Sequence, residues 1–290
     1  MSEVFEMAPA KINLFLEVIG KRNDGYHEIE SVMTAIPLFD TVQVSENGKN
    51  TVTLDCRFER SPYFSKLKGV KEENNIAYLA AKRYYGEALK KGLSLPGVDI
   101  VIEKRIPVCA GLAGGSSDAA AVLRALDGLF QSPLSKTELL SIAAELGADV
   151  PFCFEGSTAL CRGIGEVMTP IETEFVPSGL LTLEKKEKLS TKAAYGAVDG
   201  LEKREIKSAD RMVSSLEKGD TDTVFSELYN VFEDACDYGS RAKELLLSAG
   251  ADGSVLSGAG PSVVGLFTSK TARERAKQML TENGYPVFEF

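Results

Sequence analysis

Apolar and polar positions along this chain change period several times. The opening KINLFLEVIG and the later TVQVSENG and TVTLDC are rich in β-branched and apolar residues and are bounded by Gly, Asn and Asp, which predicts strands joined by turns. From Asn74 the period lengthens: Ile76, Leu79, Ala80 and Tyr84 recur at helical spacing and the run closes on lysines and Gly92, predicting a helix over 75–91. VDIVIEK (Val98 to Lys104) alternates as a strand does and breaks at Pro107 into a glycine-bearing loop. Val122, Leu126, Leu129 and Phe130 then form a stripe at i, i+4, i+7 and i+8, so a helix runs from about Ser117 to Phe130. Ser135 with Glu138 three residues on is a capping-box pattern for a further helix through Leu139, Ile142, Ala143 and Leu146 to Gly147.

The second half keeps the mixture. GLLTLEK, SVVGLFT and PVFEF read as strands, and 190–199, 207–218, 221–235, 239–249 and 271–283 read as helices. The fold class is therefore mixed α/β (α+β). A single hydrophobic core stops growing near roughly 250–300 residues, so 290 residues suit two abutting domains. Pro170, Pro177 and Gly179 cluster where helical content begins to rise, which places the boundary in 165–180 and the domains at 1–165 and 166–290.

Composition narrows the function classes. No apolar run approaches the roughly 20 residues that span a bilayer, and MSEVFEMAPAK has neither a basic leader with an apolar core nor an Arg-rich presequence, so a cytoplasmic location is expected. Cys56, Cys109, Cys153, Cys161 and Cys236 show no CxxC spacing, which fits reduced thiols, with neither zinc nor a disulfide expected. With 33 basic and 42 acidic residues the net charge is −9, so the global field repels nucleic acid and anionic membranes. An anionic ligand has to be held by local donors.

Such donors are offered by IPVCAGLAGGSSDAAA. Gly111, Gly114 and Gly115 let the backbone turn tightly and approach a ligand, with Pro107 before them, Leu112 and Ala113 between, and Ser116, Ser117 and Asp118 opening the helix. The unpaired N–H groups at a helix start, with the helix dipole, suit a phosphate. The loop is not GxxxxGK[ST], since no lysine precedes the hydroxyl residue, and a serine-capped helix after a turn is the plain alternative. A second glycine loop, VLSGAGPSVVGLF, sets Ser257, Gly258, Gly260 and Pro261 between two apolar strands, as at a backbone-lined ligand edge or in an ordinary hairpin.

Three further positions carry chemistry. Asp149, in GADVPFCF, follows a helix and precedes apolar residues, where a part-buried carboxylate can accept a proton or merely end the helix. Lys11 heads the apolar strand KINLFLEV, where a cation seeks a carboxylate or phosphate unless it snorkels to the surface. Tyr26 and His27, the sole histidine, form a Gly-Tyr-His turn that can offer an aromatic face and an imidazole to a base.

In order, APAKINLFLEV, KRNDGYHEIESVMTAIPLFD, IPVCAGLAGGSSDAAAVLRAL, GADVPFCFEGSTALCRGIGE and LSGAGPSVVGLF resemble the successive motifs of the GHMP small-molecule kinases. GYH narrows the likeness to the branch that acts on a cytidine diphosphate-linked sugar alcohol. The resemblance implies a two-domain fold, ATP-binding domain first, with the active site in the interdomain cleft. It implies ATP and Mg²⁺ as cofactors, a small-molecule alcohol as partner, and a monomer or homodimer. It makes Lys11 and Asp149 the catalytic pair, residues 111 to 117 the phosphate loop, and Asn13, Tyr26, His27, Ser257, Gly258 and Gly260 substrate contacts, with no metal ligand assigned. Asn74 and Asn75 precede a helix that borders adenine in relatives. Three departures stand out: Ala113 where many relatives have glycine, Met33 where an aromatic is common, and LEKKEKLST (183–191) where KPxxxVST is usual, with Tyr195 a candidate second aromatic wall. A homoserine- or mevalonate-type kinase and a non-catalytic GHMP-like binding protein remain the alternatives.

Overall fold

The computed structural model describes residues 2–58, 71–185, 189–201, 204–236 and 238–290. In chain order the elements are β1 (Glu3–Lys21), β2 (His27–Glu46), β3 (Val52–Phe58), α1 (Ile76–Lys90), β4 (Val98–Lys104), α2 (Gly114–Leu129), α3 (Lys136–Leu146), α4 (Val150–Glu155), β5 (Thr158–Arg162), β6 (Val167–Pro170) and β7 (Gly179–Leu183). There follow α5 (Thr191–Asp199), α6 (Asp210–Lys218), α7 (Thr221–Ser226), β8 (Tyr229–Asn230), α8 (Val231–Ala235), α9 (Ser240–Ser248), β9 (Gly253–Leu256), β10 (Ser262–Leu266), α10 (Lys270–Glu282) and β11 (Val287–Glu289). The chain forms two compact units, one of Met1–Ala10, Pro37–Val108 and Ala113–Gly156, the other of Lys11–Ile36, Cys109–Leu112 and Ser157–Phe290.

In the first unit β3 lies parallel to β4, and β4 lies antiparallel to the second half of β2, with Val44 opposite Ile100. The alternation of VDIVIEK sends Val98, Ile100, Ile102 and Lys104 to the buried face, so a lysine occupies the last inward position. Helix α1 begins after a 3-10 turn, capped by Asn75, whose side chain accepts from the Ala77 N–H. Its buried face is Ala77, Ala80, Ala81, Tyr84 and Ala88; Leu79, expected inward, is 41% exposed. The small alanines, rather than the leucine, face inward because they allow close helix packing. Ser135 and Glu138 form the expected capping box of α3.

In the second unit β7, β9, β10 and β11 make an antiparallel sheet in the order β11–β7–β10–β9. The first half of β2 pairs with β5, and β1 pairs in parallel with the two-residue β8. Leu180, Leu246, Leu256, Val263 and Leu280 belong to one buried apolar cluster with Phe232 and Tyr238.

Three expectations fail here. Strand β1 starts at Glu3 rather than at Lys11, because VFEM already alternates outward and inward. Helix α2 opens at Gly114, not near Ser117. The single helix expected over 221–235 is broken between α7 and α8, because Tyr229 and Asn230 pair with Phe15 and Leu16. Asn230 is fully buried, donates Nδ2–H to the Leu256 carbonyl at 2.7 Å and the Gly258 carbonyl at 2.8 Å, and caps α8 by accepting from the Phe232 N–H. Those long-range bonds outweigh a local helix preference of well under 1 kcal/mol per residue. Of the atypical 183–191 segment, Leu183 ends β7 and Ser190 caps α5, while 186–188 lie outside the described residues.

Candidate active site

The second unit gathers several of the expected residues. Lys11 and Asn13 share one face of β1, two residues apart, and are buried at 4% and 1% exposure. Lys11 Nζ donates to Asn13 Oδ1 at 2.8 Å, and the Gly258 N–H donates to the same oxygen at 2.9 Å. Two donors on one atom fix the amide orientation, and Asn13 Nδ2 accordingly donates to Ser31 Oγ at 2.8 Å, which donates on to the Phe15 carbonyl at 2.7 Å. Lys11 therefore stands buried against a neutral amide. Among the described residues no carboxylate pairs with it, so an anion is favoured beside it.

Gly111 joins the same junction. Ser257 Oγ donates to its carbonyl at 3.0 Å, and the Lys11 N–H donates to the neighbouring Leu112 carbonyl at 3.1 Å. Gly111 has φ +79°, and a Cβ there would stand 2.3 Å from the Ser257 carbonyl oxygen, so only glycine fits. Ser257 to Pro261 links β9 to β10 as a hairpin turn, with Gly258 and Gly260 both at positive φ and the Tyr238 ring packed where a Gly260 Cβ would be. Asn230, expected in a helix interior, holds this turn through the Gly258 carbonyl and the end of β9 through the Leu256 carbonyl. Its signal was weak: one Asn in an otherwise helical pattern.

Elsewhere in this unit His27 Nε2 pairs with Asp199 Oδ1 at 2.8 Å, and Lys21 Nζ reaches Asp199 Oδ2 at 2.9 Å. The Lys21 hydrogen bond, followed by that of His27, holds the Asp199 carboxyl below the usual range. Tyr195 stacks on the His27 ring with centroids 4.7 Å apart and planes 23° apart, and meets Phe232 edge-on. Tyr195 thus backs the imidazole. Tyr26 projects outward at 61% exposure, while Met33 is buried on β2 opposite Ala159. Asp199 was not anticipated from sequence; an acid closing a helix offers no local sign that it meets His27.

The first unit contributes the start of α2. Ala113 is its N-cap, in the left-handed region at φ +55°, and among the described residues no side chain caps the turn. This excludes the serine-capped reading and leaves the first N–H groups at Gly114, Gly115 and Ser116 for an incoming anion. An alanine in that conformation accepts strain of about 1 kcal/mol. Pro107 is buried before the loop, and Gly115 is exposed on it. Among the described residues Ser117 Oγ and Asp118 Oδ1, both buried, find no hydrogen-bond partner. Asp149, half-buried, sits at the N-cap position of α4, yet its side chain does not cap that helix. Among the described residues no three His, Cys, Asp or Glu side chains gather as a metal cage, and no helix is long and apolar enough to cross a membrane.

Comparison with known proteins bears on this arrangement. Residues 75–157 match the GHMP kinases N terminal domain, and residues 198–286 match the GHMP kinases C terminal domain. A 4-diphosphocytidyl-2-C-methyl-D-erythritol kinase of Clostridium botulinum (strain Loch Maree) is 41% identical over 286 residues, covering 97% of each chain. One of Caldicellulosiruptor bescii is 38% identical over 285 residues, 95% of this chain and 94% of that one. A solved 4-(cytidine 5'-diphospho)-2C-methyl-D-erythritol kinase superposes with TM-score 0.78 at 29% identity, over 99% of this chain and 98% of that one. A homoserine kinase of Cytophaga hutchinsonii superposes with TM-score 0.75 at 20% identity, over 100% of this chain and 94% of that one, a likeness of fold alone.

The two-domain α+β fold and the glycine-opened helix are those of a GHMP kinase, an ATP-dependent phosphotransferase with a small-molecule acceptor. Identity of this level over nearly the whole length is more specific than the fold. The chain belongs to the 4-diphosphocytidyl-2-C-methyl-D-erythritol kinase family.

Proposed function

We propose that the protein transfers the γ-phosphoryl group of ATP to the 2-hydroxyl of 4-diphosphocytidyl-2-C-methyl-D-erythritol, in the non-mevalonate route to isoprenoid precursors. The observation that carries the reading is the buried junction of Lys11, Asn13 and Gly258, where an ammonium rests on a neutral amide and the glycine turn closes over it. Phosphoryl transfer asks a protein mainly for alignment and charge neutralisation. The uncapped N–H groups at the start of α2 receive the polyphosphate, Lys11 neutralises charge that develops during transfer, and Asp149 accepts or orients the acceptor's proton. His27, steadied by Asp199 and Tyr195, and Tyr26 serve the cytosine, the first by hydrogen bonding and the second by stacking.

Mg²⁺ fits the residues present in a limited way. It prefers oxygen ligands and keeps several waters, so it needs few side chains, and Ser117 Oγ, buried and unpartnered among the described residues, is an oxygen that would hold it alongside phosphate oxygens. When bound, the ion would neutralise phosphate charge.

Coupled ADP release with Mg²⁺-ATP tests the proposal, with the cytidyl alcohol, homoserine, mevalonate and galactose offered separately. Turnover with the cytidyl alcohol alone is expected. Turnover with homoserine or mevalonate instead would overturn the substrate assignment, and none with any acceptor would overturn catalysis.

A further inference from the structure

A second group of charges, used by none of the steps above, is buried in the first unit. Asp40 on β2 is wholly buried, Lys104 is 5% exposed at the last inward position of β4, and Asp118 is 4% exposed in the first turns of α2. Lys104 Nζ donates to Asp118 Oδ2 at 2.6 Å and also to Asp40 Oδ2. Through its other oxygen Asp40 accepts the backbone N–H groups of Arg105 and of Ile106, the latter at 2.8 Å. One ammonium thus ties a strand end to a helix start. The connecting residues, 105–113, include three at positive φ: Cys109, Gly111 and Ala113.

Stability alone is a poor account of this cluster. Buried ion pairs seldom outperform apolar packing of the same volume, because desolvation costs as much as the Coulomb attraction returns. The cluster is also incompletely satisfied, since among the described residues Asp118 Oδ1 lacks a partner, as does the adjacent Ser117 Oγ. Its placement opposes the helix dipole as well: a Cβ on Gly114 would stand 3.4 Å from Lys104 Nζ, so the ammonium lies directly under the first residue of α2. The Asp40 and Asp118 carboxylates answer that cation, but they face Lys104 and not the first N–H groups of α2.

We propose that Asp40 and Lys104 are positioning residues for the polyphosphate of ATP: the buried cluster holds both ends of the 105–113 loop and sets a cation beneath the first turn of α2. The inference rests on that turn being the phosphate site. It gives the two side chains separate duties. Lys104 ties Asp118 at the helix start to the end of β4, while Asp40 orients Lys104 and pins the backbone where β4 ends.

The test is steady-state kinetics and direct ADP binding by calorimetry on the full chain with Asp40→Asn and Lys104→Met. Asparagine keeps the shape of Asp40 and can still accept from the backbone, but it presents an N–H towards Lys104 if it does so. Both variants are expected to raise the KM for ATP and the Kd for ADP at least tenfold, while the KM for the cytidyl alcohol stays within about twofold. Parallel rises in both KM values, or a fall in Tm with both unchanged, would overturn the proposal and leave the cluster a core ion group. If Lys104→Met does not fold, Asp40→Asn with Asp118→Asn decides by the same split, the Asp118 variant keeping an oxygen for Lys104. Gly115→Ala separates the two readings: if it raises the KM for ATP and the cluster variants do not, the phosphate site stands and the positioning role falls.

Discussion

The two glycines that flank Ala113 make a matched pair of perturbations, because alanine at each has opposite consequences for the fold. At Gly115 the backbone is helical and a Cβ would meet its nearest atom, Ile76 Cγ2, at 3.5 Å, an ordinary contact. Replacing glycine by alanine inside a helix gains about 0.8–1 kcal/mol. For a chain above 150 residues that corresponds to a Tm rise of about 2–4 °C. At Gly111 φ is +79° and the Cβ would meet the Ser257 and Gly260 carbonyl oxygens at 2.3 and 3.1 Å. Backbone oxygens cannot swing aside as a side-chain end can, so Gly111→Ala combines left-handed strain of about 1–2 kcal/mol with displacement of the 257–260 turn. A total loss of about 2–4 kcal/mol is expected, of the size of other strained core changes. Thermal unfolding and steady-state kinetics on both variants check this. Gly115→Ala is expected to be more stable than the parent yet to bind ATP at least about tenfold more weakly, since its methyl occupies the surface the phosphates approach. A stabilised Gly115→Ala with unchanged KM for ATP would refute the claim that phosphates approach the backbone there. A Gly111→Ala variant as stable as the parent would refute the steric argument.

Asp149→Asn is expected to leave ADP binding intact and to lower kcat by at least about two orders of magnitude, as loss of an acid–base group does; near-normal turnover removes Asp149 from the mechanism. His27→Ala and Asp199→Ala are each expected to raise the KM for the cytidyl alcohol more than that for ATP, and equal rises in both would detach the pair from the base. Burial pushes the Asp118 carboxyl up to about 8 even with Lys104 opposing it, so the folded state keeps a proton that the unfolded chain releases near 4. Its contribution is therefore present below about pH 4 and is lost as pH rises towards about 8, and Asp118→Asn removes that slope. The Tm difference, variant minus parent, should grow between these limits and level off above them; a constant difference would show that Asp118 is ionised throughout.

Much of the fold was legible because it is written in local periodicity. The alternation of VDIVIEK gave β4 its bounds, and the Ser135–Glu138 spacing gave α3 its capping box, since both depend on neighbours a few residues apart. The same alternation carried an unused clue: Lys104 shares the inward face of Ile100 and Ile102, a register that a lysine occupies only with a partner. What it could not give was the partner. Asp40 lies 64 positions away on a strand that pairs antiparallel with β4. Helix preference likewise mispredicted 221–235, where Tyr229 and Asn230 pair with β1 and the Asn230 side chain is held by carbonyls from 256 and 258.

The candidate site divides along the same line. Residue chemistry determined which groups are able to act: glycines where φ must be positive, a carboxylate and a lysine in apolar settings, an imidazole beside an aromatic. Only the tertiary structure decided which of them meet. Lys11 and Asn13 share a face by strand period alone, but Gly258 reaches Asn13 from 245 positions on, and Ser257 reaches Gly111 from 146. His27 acquires Asp199 from 172 positions away. Local torsional preference and side-chain period act over a few residues and can be read along the chain. Burial and hydrogen-bond satisfaction act between segments that only folding brings within 3 Å, and those are the contacts that orient the site.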